Sequence, residues 1–202
     1  MTEHAGARSD RPKFHGDCDV AAMVYGPGDN PDAVLTGFLR HLLGLGFDAL
    51  GVVQRRRPDH PGFDGTAEFT LVPDDGWRGD ANGAGKSNMA ACGTALQGIG
   101  ARLSLALKRR PDVVILNRYG SLEAAGAGLL DVLAQAIDRD IPVLIAVPEA
   151  LFPHWLARAE GLAVKLRPDR PSLDAWWHSL GNSPLDATSD AVSGATFCER
   201  FK

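Results

Sequence analysis

Four groups of residues in this chain have the types and spacing for anion chemistry. The first is the turn Gly26-Pro27-Gly28-Asp29-Asn30-Pro31-Asp32, which follows the apolar run CDVAAMVY. Backbone amides in such a turn, at the positive end of a helix dipole, can hold a phosphate-like group. The triphosphate-binding consensus G-x-x-x-x-G-K-[ST] does not survive here. With its first glycine on Gly26, the second falls on Pro31, the lysine on Asp32 and the hydroxyl residue on Ala33. An acid thus stands where a cation would neutralise the β- and γ-phosphates, and Asp29 adds a second carboxylate. The turn is either an anion holder or a bare strand-to-helix connection, and its side chains argue against ordinary ATP hydrolysis.

The second group is Asn117, Arg118, Tyr119 and Gly120, at the carboxyl end of the apolar run DVVIL. Ligands of open α/β sheets bind just beyond such strand ends. Asn117 takes the place of a magnesium-holding acid, for which a neutral amide is a poor substitute, whereas Arg118 is a good oxyanion donor. Glu123 either pairs with Arg118 or belongs to the site. The third group is Gly83-Ala84-Gly85-Lys86-Ser87, in an irregular stretch rich in glycine and proline. No apolar strand precedes it, so it is a mobile loop or a small-oxyanion holder rather than a triphosphate cradle. The fourth, Arg55-Arg56-Arg57, ends an apolar run and reads as a solvated loop or an anion contact.

Single candidates carry less. Cys92 opens a helix, where the dipole favours a thiolate, but most such cysteines are small packed residues. His154 has no second histidine at metal-ligand spacing and reads as a surface group. Cys18, Cys92 and Cys198 form no C-x-x-C pair and suit a reducing compartment.

The elements that must position these groups follow from periodicity. Strands are predicted near 18–25, 47–54, 66–72, 112–116, 141–148 and 161–166, and helices near 31–44, 89–109 and 124–138. Asn30 suits the N-cap and Pro31 the first turn of the first helix, whose inner face would be Val34, Leu35, Phe38, Leu39, Leu42 and Leu43. In the third helix Leu129, Leu130, Leu133, Ala136 and Ile137 would point inward. Leu173, Trp176, Trp177 and Leu180 mark a final amphipathic helix. Strands alternating with helices predict a three-layer α/β sandwich with a mostly parallel sheet of about five strands. Residues 1–16 are expected to be disordered, 17–181 to form one domain and 182–202 to be a tail. The ending FCERFK would dock on the domain or on a second subunit, which leaves a homo-oligomer open.

A net charge of −4 gives no footprint for nucleic acid. No apolar run is long enough to span a bilayer, and the first sixteen residues lack the apolar centre of a secretory signal, so the cytoplasm is expected.

The segments VYGPGDNPDAVLTGFL, LNRYGSLEAAGAGL and IPVLIAVPEALFPHW, with the Gly-rich insert before Cys92, occur in an order that resembles an uncharacterised bacterial domain-of-unknown-function family. Members of that family resemble small P-loop nucleoside-triphosphatases. The resemblance covers roughly 18–165 and is most specific at 117–120 with Glu123. It implies a P-loop-like fold, gene neighbours in molybdate transport or nitrogenase function, and a link to molybdenum or tungsten. NTPase residues do not carry over, because Asp32 and Asn117 replace the lysine and the acid.

The expected ligand set is Gly26, Gly28, Asn30, Lys86, Ser87, Asn117, Arg118 and Glu123. Arg118, Lys86, Ser87 and the amides of Gly26 and Gly28 would bind a small anion, and Asn117 would orient it. The resemblance favours molybdate or tungstate over a nucleotide. No catalytic residue and no metal site are assigned. The leading expectation is a non-hydrolysing accessory protein. Alternatives are a divergent NTPase or nucleotide-dependent transferase using Lys86, and a regulatory or assembly module with no small ligand.

Overall fold

In the structure, a computed structural model, residues 20–56, 67–73, 78–80, 89–159, 163–181 and 199–200 are described. The chain begins with β1 (Val20–Tyr25), α1 (Pro31–Gly44) and β2 (Ala49–Arg56). A hairpin continuation, β3 (Ala67–Val72) and β4 (Arg78–Asp80), leads to α2 (Met89–Ala106), which ends in a 3-10 turn at Leu107–Arg109. Then come β5 (Val113–Arg118), α3 (Ser121–Ala124), α4 (Leu130–Ile137), β6 (Val143–Pro148), α5 (Phe152–Ala159), β7 (Ala163–Leu166) and α6 (Arg170–Ser179). The two-residue β8 (Glu199–Arg200) pairs antiparallel with β7, so part of the ending lies on this domain's own sheet.

The sheet order is β4-β3-β2-β5-β6-β1-β7-β8. The five central strands, from β2 to β7, are parallel, as the apolar runs predicted. The antiparallel β3 and β4 extend the sheet beyond β2, and β8 extends it beyond β7. Continuous burial explains the composition of the central strands. β5 and β6 are covered on both faces, so neither shows the alternation of a half-exposed strand.

Two cores result. One face packs Ala21, Met23 and Leu144 under Leu35, Phe38, Leu39 and Leu42 of α1 and Leu173, Trp176 and Trp177 of α6. The other packs Val114, Val143 and Ile145 under Ile99 and Leu103 of α2, Val132 and Leu133 of α4, and Trp155 of α5. Helix α1 begins where its cap residues predicted, with the Asn30 side chain accepting from the Ala33 amide at 3.2 Å and Pro31 at the first position. It lies so close to β2 that a Cβ on Gly51 would meet Leu39 Cδ2 at 2.6 Å and Ile115 at 3.4 Å. Gly51→Ala is therefore expected to lower stability by about 1–3 kcal/mol in urea unfolding, through overpacking of this contact.

The helix expected over 124–138 is interrupted. Gly126 and Gly128 take left-handed backbone, with φ of +87° and +68°, and residues 125–129 separate α3 from α4. The break rotates α4, so that Val132 turns inward while Ile137 is 38% exposed rather than packed. No helix among the described residues is long and apolar enough to cross a membrane.

Candidate ligand site at the carboxyl ends of the parallel strands

β1 hands the chain to α1 on one face of the sheet, and its neighbour β6 hands it to α5 on the other. Connections that diverge from adjacent parallel strands leave a crevice at their carboxyl ends. The crevice is bordered by the Gly26–Asn30 turn, the end of β5 and Glu149 after β6. Glu149 Oε2 and Asp29 Oδ2 each lie 3.7 Å from where a Cβ on Gly26 would sit.

The turn is occupied by its own carboxylate. Asp29 Oδ2 accepts the Gly26 amide at 2.7 Å, and the Asp29 amide donates back to the Gly26 carbonyl at 3.2 Å. Asp29 thus holds the Gly26 donor that an anion was expected to use. Asn30 is likewise committed, as the α1 cap. Gly28 is exposed in the same turn.

Asp32, in the position aligned with a phosphate-binding lysine, is bound by Arg118. The guanidinium forks onto the carboxylate, Nε to Oδ1 at 3.3 Å and Nη2 to Oδ2 at 2.7 Å. Their side chains are 21% and 19% exposed, and the Arg118 guanidinium carbon stands 5.5 Å from the Tyr25 ring centroid. A partly desolvated, two-point arginine–carboxylate pair is among the stronger polar contacts a protein makes. The acid in the lysine position on α1 and the arginine that follows Asn117 on β5 therefore neutralise each other.

A bulge makes this pairing possible. The β5–β6 register shifts between Leu116 and Arg118. Leu116 belongs to the core under α2, and Asn117 lines a cavity with Phe69, Leu96 and Leu129 of that same core. Two consecutive residues face one side, so Arg118 is turned to the other, toward α1. Strict alternation would have reversed both side chains.

The expected Glu123–Arg118 pair does not form. Glu123 is 3% exposed and spends both oxygens on backbone, accepting the Gly120 amide at 2.9 Å and the Leu129 amide at 3.1 Å. It holds together the loop that the two left-handed glycines open. Asn117 is also buried, at 4% exposure, and its amide nitrogen donates to Gln54 Oε1 on β2. Tyr119 is fully buried, and its hydroxyl meets His154 Nδ1 at 2.7 Å, with Trp155 edge-on at 5.2 Å. This contact ties the end of β5 to α5 and gives the exposed His154 a structural partner.

The structure thus brings together Gly26, Gly28, Asn30 and Arg118, with Asn117 and Glu123 on the other side of β5. Lys86 and Ser87 lie outside the described residues, as do Cys18, Cys198 and Arg57. Among the described residues no group of three or more His, Cys, Asp or Glu is placed to hold a metal. Beside Arg118 is a cavity of about 160 Å³ lined by Gln54, Asn117, Ser121 and the apolar residues above. Gln54 and Ser121 were not singled out from sequence. Gln54 carried a signal, as the polar residue closing the apolar run of β2 at its carboxyl end.

Comparison with known proteins agrees with this architecture. Over 171 residues, 81% of this chain, the sequence is 33% identical to the molybdenum import ATP-binding protein ModC 2 of Bradyrhizobium diazoefficiens. The matched segment is 18% of that relative, so the chain spans less than a fifth of its length. Among solved structures it is similar to THEP1 from the hyperthermophile Aquifex aeolicus, with a TM-score of 0.55 and 14% identity, covering 79% of this chain and 95% of that one. That likeness shows the fold, an α/β sandwich of the P-loop-NTPase-like kind. Residues 20–176 match the family described as Protein of unknown function (DUF2478), and the chain belongs to that family.

Proposed function

We propose that this chain is a non-hydrolysing, P-loop-like accessory protein of molybdenum handling that takes a tetrahedral oxyanion, molybdate or tungstate, at Arg118. The observation that carries the reading is the forked Arg118–Asp32 pair in the crevice. Arg118 is already poised to grip two oxygens of an anion, and a dianion can replace the single charge of Asp32. A triphosphate meets the opposite situation. It would have to displace Asp29 from the Gly26 amide and approach the acid at position 32. Molybdenum is favoured over other tetrahedral anions by the name of the 33% identical relative. Lys86 and Ser87 would add an ammonium and a hydroxyl from the Gly-rich segment.

Thermal unfolding in the presence of each ligand tests this. Molybdate or tungstate at a hundredfold excess over its dissociation constant should stabilise the protein by ~2.7 kcal/mol. Arg118→Ala should lose that shift, and magnesium-ATP should not turn over. Magnesium-dependent hydrolysis that disappears in Lys86→Ala would replace this reading with an enzyme. A flat response to every small ligand would favour the assembly module, which the self-neutralised turn would also suit.

A further inference from the structure

The Arg118 guanidinium is held in two ways that differ in what an arriving anion would have to undo. The fork onto Asp32 spends Nε and Nη2, the donors an oxyanion would use. Tyr25 makes the other contact. The guanidinium carbon stands over its ring, 5.5 Å from the centroid, inside the range of about 6 Å over which an aromatic face attracts a cation. That attraction acts on the charge as a whole and takes the place of neither donor bonded to Asp32. An anion that displaces Asp32 can therefore take over the fork while the ring contact stays in place.

The sheet builds this contact. Ala21, Met23 and Tyr25 alternate onto the α1 face of β1, where Tyr25 packs, partly buried, at the rim of that core. Arg118 is on β5, and β6 lies between the two strands. Neighbouring strands are about 4.8 Å apart, so the arginine side chain has to pass over β6 to reach Tyr25. The β6 residue in register with Arg118 is Ala146, fully buried in the same core and presenting only a methyl group. A small residue thus leaves the arginine its path. The aromatic residue at the end of that path closes β1, directly before the Gly26–Asn30 turn.

We propose that Tyr25 is a positioning residue of the anion site: its ring keeps the Arg118 guanidinium in the crevice while an oxyanion takes the place of Asp32. This inference rests on the oxyanion reading above. Without the ring, displacement of Asp32 would release Arg118 to solvent, and the anion would have to order a long side chain as it binds. With the ring, the guanidinium stays where both partners need it. The ring acts on the cation and the anion meets the cation's donors, so the Tyr25 hydroxyl has no part in the contact. The role belongs to the aromatic face.

The test is isothermal titration of the full chain with molybdate and with tungstate, in wild type, Tyr25→Phe and Tyr25→Leu. Tyr25→Phe should bind as wild type does. Tyr25→Leu should bind about twofold to thirtyfold more weakly, the span of a cation–π contact from exposed to desolvated. Ring-fluorinated versions of Tyr25→Phe, with three or five fluorines, keep the ring's shape and drain its negative face. Affinity should fall with each step of fluorination, which a packing role would not produce. The same series has a readout in the empty protein. Fluorination should lower the urea midpoint more when Arg118 is present than in Arg118→Ala, a coupling that a double-mutant cycle isolates. Unchanged anion affinity in folded Tyr25→Leu, or equal affinity across the fluorinated series, overturns the inference and leaves the oxyanion reading standing. A urea series indifferent to Arg118 overturns it as well. A wild type that binds neither anion overturns the oxyanion reading and this inference with it.

Discussion

Glu123→Ala is expected to cost about 2–6 kcal/mol, more than any other polar substitution at the end of β5. The carboxylate is 3% exposed, and each oxygen accepts one backbone amide, from Gly120 and from Leu129. Its removal leaves two amide donors without partners in a place water reaches poorly, at about 1–3 kcal/mol each. Glu123→Gln keeps one acceptor and turns a donor toward the other amide, so it should fall between alanine and wild type. Gly128→Ala should resemble Glu123→Ala for a complementary reason. A Cβ there would sit 2.0 Å from Glu123 Oε1, on backbone with φ of +68°. Strain and the clash would expel the carboxylate from its seat. Against a typical domain stability of about 5–15 kcal/mol, these losses should be plain in urea unfolding. A Glu123→Ala midpoint close to wild type would mean that the loop finds other partners for both amides.

Asp32→Ala is expected to act in opposite directions on the empty and the loaded protein. Without ligand, it strands the Arg118 guanidinium, whose side chain is 21% exposed. Breaking a fully buried pair costs about 3–5 kcal/mol and an exposed one about 0–1, so a loss of about 1–3 kcal/mol is expected. With molybdate or tungstate the sign changes, because Arg118 no longer has to release a carboxylate before it takes the anion. The ligand-induced rise in unfolding temperature should exceed that of wild type. The double variant Asp32→Ala/Arg118→Ala should recover part of the lost stability, since no charge is left alone, and should show no anion response. A double-mutant cycle reads the coupling directly. If Asp32→Ala lowers stability and also abolishes anion stabilisation, the carboxylate is part of the binding geometry rather than its competitor.

Local signals located the elements well and their partners poorly. The first helix was legible from start to finish because its determinants are neighbours in sequence: Asn30 caps it, Pro31 opens it, and it ends just before the left-handed Gly46. The parallel strands were legible as short apolar runs. The segment after β5 misled the periodicity, because leucines and alanines continue through it while Gly126 and Gly128 break the backbone. Glu123 was matched to the wrong partner. Two amides within six residues satisfied it before Arg118 came within reach.

The sequence by itself determined that an acid stands at position 32 and an asparagine-arginine pair at 117 and 118, in an alternating strand and helix chain whose central strands are parallel. Composition and short-range pattern suffice for that, since helix caps, turns and buried strands are specified by residues a few positions apart. Only the tertiary structure decided what those charges do. Asp32 and Arg118 are 86 residues apart and Asn117 and Gln54 are 63 apart, so both contacts depend on strand order. They depend further on one register shift between Leu116 and Arg118. That shift follows from packing β5 against β6 while both faces of the sheet are filled, a constraint no window of sequence contains.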